Sequence, residues 1–138
     1  MYAAAMRGNF EVSKLILENV EEKNPATTGD RSTPLHEAAR YGYIDIFCII
    51  FEKVEDKNPP DSQGNTPLHF AASKNFLNDR VTRQSYVEMC RLILDNVDNK
   101  HPINRQGKTP LDAARERFEW HDERLQELEK LWLHEEDQ

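Results

Sequence analysis

Thr33-Pro34-Leu35-His36-Glu37-Ala38-Ala39 returns as Thr66-Pro67-Leu68-His69-Phe70-Ala71-Ala72, and a shorter version, Thr109-Pro110-Leu111-Asp112-Ala113-Ala114, follows. The first two begin 33 residues apart, and the third starts 43 residues after the second, so the last interval holds ten extra residues. A second phrase keeps step: ILENVEEKNP from Ile16, IFEKVEDKNP from Ile50 and ILDNVDNKHP from Ile93. Two independent phrases in register mark an internal repeat.

The TPLHxAA phrase reads as a helix start. A threonine hydroxyl can accept from an orphan amide of the first turn, and proline beside it needs no donor and has its φ preset. Helices are therefore expected from Pro34, Pro67 and Pro110, with Leu35, Leu68 and Leu111 as core anchors. The paired alanines leave room for a neighbouring backbone, and Gly42, like Gly8 in an earlier degenerate copy, ends the short helix. A second helix follows each time, with stripes at three- and four-residue spacing: Val12, Leu15, Ile16; Ile46, Ile49, Ile50; Met89, Leu92, Ile93. These stripes are expected to face the core. One helix pair buries too few such side chains to offset its ordering entropy, so each pair must stack on the next. Between pairs, NPPDSQGN and HPINRQGK suit tight turns, with Asp61 and Gly64, or Asn104 and Gly107, in the turn positions. NPATTGDRS is one residue longer, with Gly29 out of register, so its tip should differ in shape.

Together these residues resemble the ankyrin repeat family, whose unit of about 33 residues runs turn, helix, helix and carries T-P-L-H-x-A. The resemblance covers almost the whole chain. It implies an all-α fold, a solenoid of stacked helix-turn-helix pairs with hairpin-like loops, forming one domain over residues 1–138. Residues 1–24 would be a truncated repeat, 25–58 a full one, 59–101 a full one with an insertion at 77–86, and 102–138 a C-terminal capping repeat.

The departures from the pattern are informative. MYAAAMRGNFEV matches the end of one first helix and the start of a second, without a preceding TPLH segment. A chain cut from a longer array is the favoured reading over a clipped cap, because Tyr2, Ala3 and Met6 are not the polar gain of a terminal repeat. Val20, Val54 and Val97 stand where the family usually places glycine, so the second helices must stop differently, with Asn19 or Asn96 in the left-handed region as the candidate device. The insertion LNDRVTRQSY, Leu77 to Tyr86, either lengthens a second helix by about two turns from a cap at Asp79, with Val81 and Ser85 continuing the stripe, or protrudes as a loop. After Thr109, Phe118, Leu125, Leu128 and Trp132 lie at helical spacing in a charged stretch that reads as a cap, with Trp120 and Trp132 as packed anchors.

Composition bounds the function. The formal charge is −7, and Arg115 to Gln138 holds nine acidic against four basic side chains. Such a surface disfavours nucleic acid and anionic membrane as partners. Cys48 and Cys90 lie in apolar helical runs and read as buried free thiols of a reducing compartment. No apolar run approaches a spanning helix, and the chain is expected to be soluble, intracellular and cytoplasmic, and to act as a monomer.

No catalytic motif, cofactor loop or metal-ligand spacing occurs, so no catalytic residue, cofactor or metal is expected. The resemblance makes His36 and His69 structural, bonded to loop backbone or to the capping threonine. It also implies a protein–protein interaction module or scaffold, gripping a partner protein with hairpin tips and the exposed side of the first helices. Carried over position by position, that surface holds Arg31, Ser32, Arg40, Tyr41, Ser62, Gln63, Asn65, Ser73, Lys74, Arg105, Gln106 and Lys108, more basic than acidic, which points to a partner with an acidic patch. Two alternatives stand beside it. One is a spacer segment of a longer array. The other is a substrate of an asparaginyl hydroxylase at Asn24 and Asn58, whose spacing from Glu22 and Ile16, or Asp56 and Ile50, resembles that enzyme's target pattern.

Overall fold

Each of the three threonines starts a helix, and the neighbouring side chain closes the cap from the other direction. In the computed structural model, Thr33 Oγ1 accepts from His36 N at 3.3 Å, Thr66 Oγ1 from His69 N at 3.3 Å and Thr109 Oγ1 from Asp112 N at 3.1 Å. In return the threonine amides donate to His36 Nδ1, His69 Nδ1 and Asp112 Oδ2, each at 3.1 Å. Two orphan amides per helix are satisfied reciprocally. Aspartate serves where histidine stood because the cap needs only an acceptor at that place.

The structure describes residues 2–73, 80–118 and 122–136, with all of their side chains except those at 6, 80–83, 124 and 134–136. Lys74, Asp79 and Trp120 lie outside the described residues, as does the Val81 side chain. Eight helices are described: α1 Tyr2–Met6, α2 Phe10–Asn19, α3 Pro34–Tyr41, α4 Ile44–Phe51, α5 Pro67–Ser73, α6 Arg80–Asn96, α7 Pro110–Arg117 and α8 Glu123–Glu136. They form two layers. First helices α1, α3, α5 and α7 lie side by side, as do second helices α2, α4, α6 and α8, and each pair packs chiefly on its neighbours.

The core runs between the layers. Leu35 and Leu68 are fully buried, as are Ala38, Ala39, Ala71 and Ala72, each leucine contributing about 1.5–3 kcal/mol of transfer free energy. Leu111, in the last pair, is only half-buried. Gly42 closes α3 at φ 75°, with its amide donating to Ala38 O. A side chain is excluded there twice over, because a Cβ would also lie 2.9 Å from the Tyr86 ring. Tyr43 covers Gly8 in the same way. Tyr86, counted with the inserted stretch in the sequence, thus occupies the place that Tyr43 has one repeat earlier, its hydroxyl donating to Arg40 O at 2.9 Å. The inserted residues from Arg80 onward are helical and extend α6 to 17 residues, so the lengthened helix describes them and the protruding loop does not.

Two expectations need correction. In α2, Val12 and Leu15 are 41% and 59% exposed, while Ser13 and Leu17 are buried. The matching Ile46 and Met89 are buried, in helices with a second helix on either flank, α4 between α2 and α6 and α6 between α4 and α8, whereas the second-helix neighbour described for α2 is α4. Ser13 sits where Phe47 and Cys90 stand, and its hydroxyl has no hydrogen-bond partner among the described residues. The second helices, moreover, do not end on a left-handed asparagine. Arg31 is the one non-glycine residue described at positive φ, and Val20 is extended at φ −118°, ψ 150°.

Lysine ends these helices instead. Lys23 Nζ turns back to donate to Leu17 O and Val20 O, Lys57 Nζ to Phe51 O, and Lys100 Nζ to Leu94 O at 2.5 Å and Val97 O at 3.1 Å. A cation there satisfies carbonyls that have no intrahelical partner and lies at the negative end of the helix dipole. Asn19 and Asn96 add an amide bond each, to Leu15 O and Leu92 O, both at 2.7 Å. The residue after each of the first two lysines faces the other way. Asn24 Oδ1 accepts from Leu35 N at 2.9 Å and Asn58 Oδ1 from Leu68 N at 3.0 Å, capping the next first helix. The Lys-Asn dipeptide therefore closes one helix and opens the next.

Candidate partner-binding groove

The loops between pairs are fingers joined to one another. Within the second, Asp61 N donates to Asn65 O, and Asp61 Oδ1 accepts from Gln63 N and Asn65 N, each at 2.9 Å. Asn104 repeats the arrangement with Gln106 N and Lys108 N at 3.0 Å. Between fingers, Ser62 N donates to Asp30 O at 2.7 Å, Arg105 N to Gln63 O at 2.9 Å, and Asn104 Nδ2 to Asn65 Oδ1 at 2.9 Å. The histidines tie the fingers to the helices beneath, through His36 Nε2 to Asn65 O at 3.0 Å and His69 Nε2 to Lys108 O at 2.9 Å. Since each Nδ1 accepts from a backbone amide, the ring is the neutral Nε2–H tautomer that donates to the carbonyl. Burial holds both imidazoles below their ordinary pKa, in keeping with that form.

The longer first finger differs at its tip, as its length implies. Thr27 N reaches Ser32 O, one residue further than in the other fingers, and Asp30 Oδ1 takes the Thr27 hydroxyl and Ser32 N. These bonds, the Thr27 hydroxyl first, hold the Asp30 carboxyl below its usual pKa. Arg31 then carries the left-handed turn, at φ 58°, that Gly64 and Gly107 carry in the other two.

The residues expected to grip a partner divide on this geometry. Arg31, Tyr41, Gln63, Arg105 and Gln106 are exposed, with Arg40 and Lys108 half-buried beside them. Ser62, Asn65 and Ser73 are half-buried and serve the fold: Ser62 and Asn65 in the finger contacts, Ser73 with its hydroxyl donating to His69 O at 2.6 Å. Ser32 is a correction. It is fully buried, its hydroxyl donating to Glu37 Oε1 at 2.9 Å, because the first finger folds inward there to meet α3.

The structure adds residues that the sequence reading passed over. A cleft of about 450 Å³ on the first-helix layer is lined by Arg40, Phe70, Ser73, Ala113, Glu116 and Arg117. Arg40, Ser73 and Glu116 occupy equivalent positions of α3, α5 and α7. Arg117 is the counterpart of Tyr41, so the repeat register itself was the signal that could have found it.

The chemistry of the remaining groups is quiet. Burial pushes the Cys48 and Cys90 thiols above their usual pKa, which disfavours the nucleophilic thiolate. Among the described residues no group of three or more His, Cys, Asp or Glu side chains is placed to hold a metal ion. Among the same residues no helix is long and apolar enough to cross a membrane.

A family model described as ankyrin repeats in three copies matches residues 1–81, and a single ankyrin repeat model matches residues 63–104. The chain belongs to the ankyrin repeat family. Ankyrin repeats are in general protein–protein interaction modules. The comparison with curated proteins gives no match. The ankyrin signature is accounted for here by packing and capping, through Thr33, Leu35, His36 and their counterparts, which leaves recognition to side chains outside it.

Proposed function

We propose that this protein is a non-catalytic binding module that holds a partner protein in the groove made by its fingers and the exposed side of α3, α5 and α7. The observation that carries the reading is charge segregation. On a chain of formal charge −7, the exposed and half-buried charged groups of the fingers and the cleft are Arg31, Arg40, Arg105, Lys108 and Arg117 against Asp30, Asp61 and Glu116, a basic excess. A partner offering an acidic patch matches this face, and like-charge surfaces are turned away by the rest of the molecule. The linked fingers arrive with their spacing set, so little loop ordering opposes binding.

Asn24 and Asn58 each cap a first helix, so the fold itself accounts for their presence without a modifying enzyme. A spacer would have no need of a basic face on an acidic chain.

The test is quantitative affinity capture with three proteins: the wild type, Tyr41→Ala/Arg105→Gln on the groove, and Glu52→Gln/Asp95→Asn on exposed positions of the second-helix layer. Partners lost only from the groove variant are expected. Identical partner sets for all three would remove the groove from consideration.

A further inference from the structure

The cleft between α3, α5 and α7 contains a cation that packing leaves available. The Arg40 guanidinium lies over the Phe70 ring, 4.7 Å from its centroid, and His36 meets that ring edge-on with centroids 5.8 Å apart. A stacked guanidinium keeps its outward donors and loses little freedom on meeting an anion. Buried Glu37 forms a long ion pair with it, and the Arg40 side chain stays 38% exposed. Glu37 Oε1 stands 3.7 Å away and already accepts from Tyr2 OH at 3.1 Å and Ser32 Oγ at 2.9 Å.

The carboxylate in the cleft lining, Glu116, is engaged by Lys108 at 2.5 Å. Arg117, on the same wall, is exposed and has no ion pair among the described residues. The cleft thus offers two guanidiniums, one aromatic ring and one carboxylate already paired.

We propose that this cleft is an anchor subsite for an aspartate or glutamate side chain on an acidic segment of the partner protein, its carboxylate shared by Arg40 and Arg117. The inference rests on the groove reading above and deepens it. Guanidinium forks match the two oxygens of a carboxylate, and the Phe70 ring holds the Arg40 fork in place on one side. A nucleic acid carries phosphate along its whole length and would meet the acidic remainder of the chain, whereas a short acidic peptide meets only the cleft.

The probe is fluorescein-labelled hexaglutamate, titrated into the 138-residue chain at low ionic strength and followed by anisotropy. Saturable binding is expected, weakened about tenfold by Arg40→Gln and by Arg117→Gln, as the loss of one charge-assisted hydrogen bond implies. Lys53→Gln, on the opposite layer, should leave it unchanged. Arg117 is exposed, so its variant tests the site even if Arg40→Gln disturbs Phe70. Absence of saturable binding, indifference to both arginine variants, or displacement by single-stranded DNA as effective as by unlabelled hexaglutamate would each overturn the proposal. If hexaglutamate fails while Tyr41→Ala/Arg105→Gln still loses partners, the subsite falls and the groove reading stands.

Discussion

Replacing Lys57 by methionine isolates the device that ends the second helices. Methionine keeps the length of the apolar stem and removes the charge, the donor and the cation–π contact of Lys57 Nζ, which lies 4.9 Å from the Phe51 ring centroid. What the helix end loses is the bond to Phe51 O and a cation at the negative end of α4. A hydrogen bond from a charged group contributes about 1.5–3 kcal/mol when well buried, and the helix-dipole interaction about 0.3–1 kcal/mol. Lys57 is half-buried, so solvent competes for both, and a net loss of about 1–1.5 kcal/mol is expected. For a chain of this length that corresponds to a fall in melting temperature of about 3–6 °C. Urea unfolding followed by far-ultraviolet circular dichroism measures it, with an unchanged m value showing that the denatured state is not the cause. The control is Lys53→Met, an exposed lysine of the same segment, which should stay within about 0.5 kcal/mol of wild type. If the two variants unfold at the same urea concentration, lysine does not cap these helices.

Three further predictions concern the fingers and the histidines. Gly64→Ala should destabilise by about 2 kcal/mol more than Gly107→Ala: both meet a left-handed φ, but a Cβ at Gly64 would also lie 2.9 Å from the Asn104 Cα, and equal urea midpoints would refute the contact between fingers. Arg31→Gly should raise stability by up to about 1 kcal/mol, since glycine adopts φ 58° without the steric cost, and a lowered midpoint would count against the left-handed turn. His36 and His69 have folded pKa values below the unfolded value, so their stabilising effect is complete above about pH 6.5 and is lost as the pH falls from there through the folded values. Each contributes a slope of at most about 1.4 kcal/mol per pH unit, and a stability profile flat from about pH 7.5 to pH 5 would show that these rings are not held neutral.

The fold was legible because its punctuation is chemical. Thr-Pro, the paired alanines and Gly42 say where a helix starts, what it lies against and where it stops. The stripe of α2 was misplaced for a physical reason. An interior second helix is apolar on both flanks, since it packs between two others, and periodicity gives the flanks without saying which has a neighbour. Val12 and Leu15 therefore read like Ile46 and Ile49 although the second-helix neighbour described for α2 lies on one flank, at α4.

The lysine stop was invisible because a lysine four to six residues beyond a helix reads as a solvated charge until the chain is seen to turn back. At the groove, exposure was read correctly for Tyr41 and Arg105 but not for Ser32, whose burial depends on how a finger one residue longer folds against α3. Phe70 and Arg117 were missed because single residues were carried over from the family surface without following each position through every repeat.

The Lys-Asn dipeptides couple neighbouring repeats in a way that bears on how the stack comes apart. When one second helix melts, the chain after it is released, and the adjacent asparagine leaves the amide it caps at the start of the next first helix. Fraying at residue 23 or 57 therefore raises the free energy of two repeats at once. In a linear array this acts as an interface term of favourable sign, which suppresses half-folded species and lets the stack respond as a single unit to a pull on one finger.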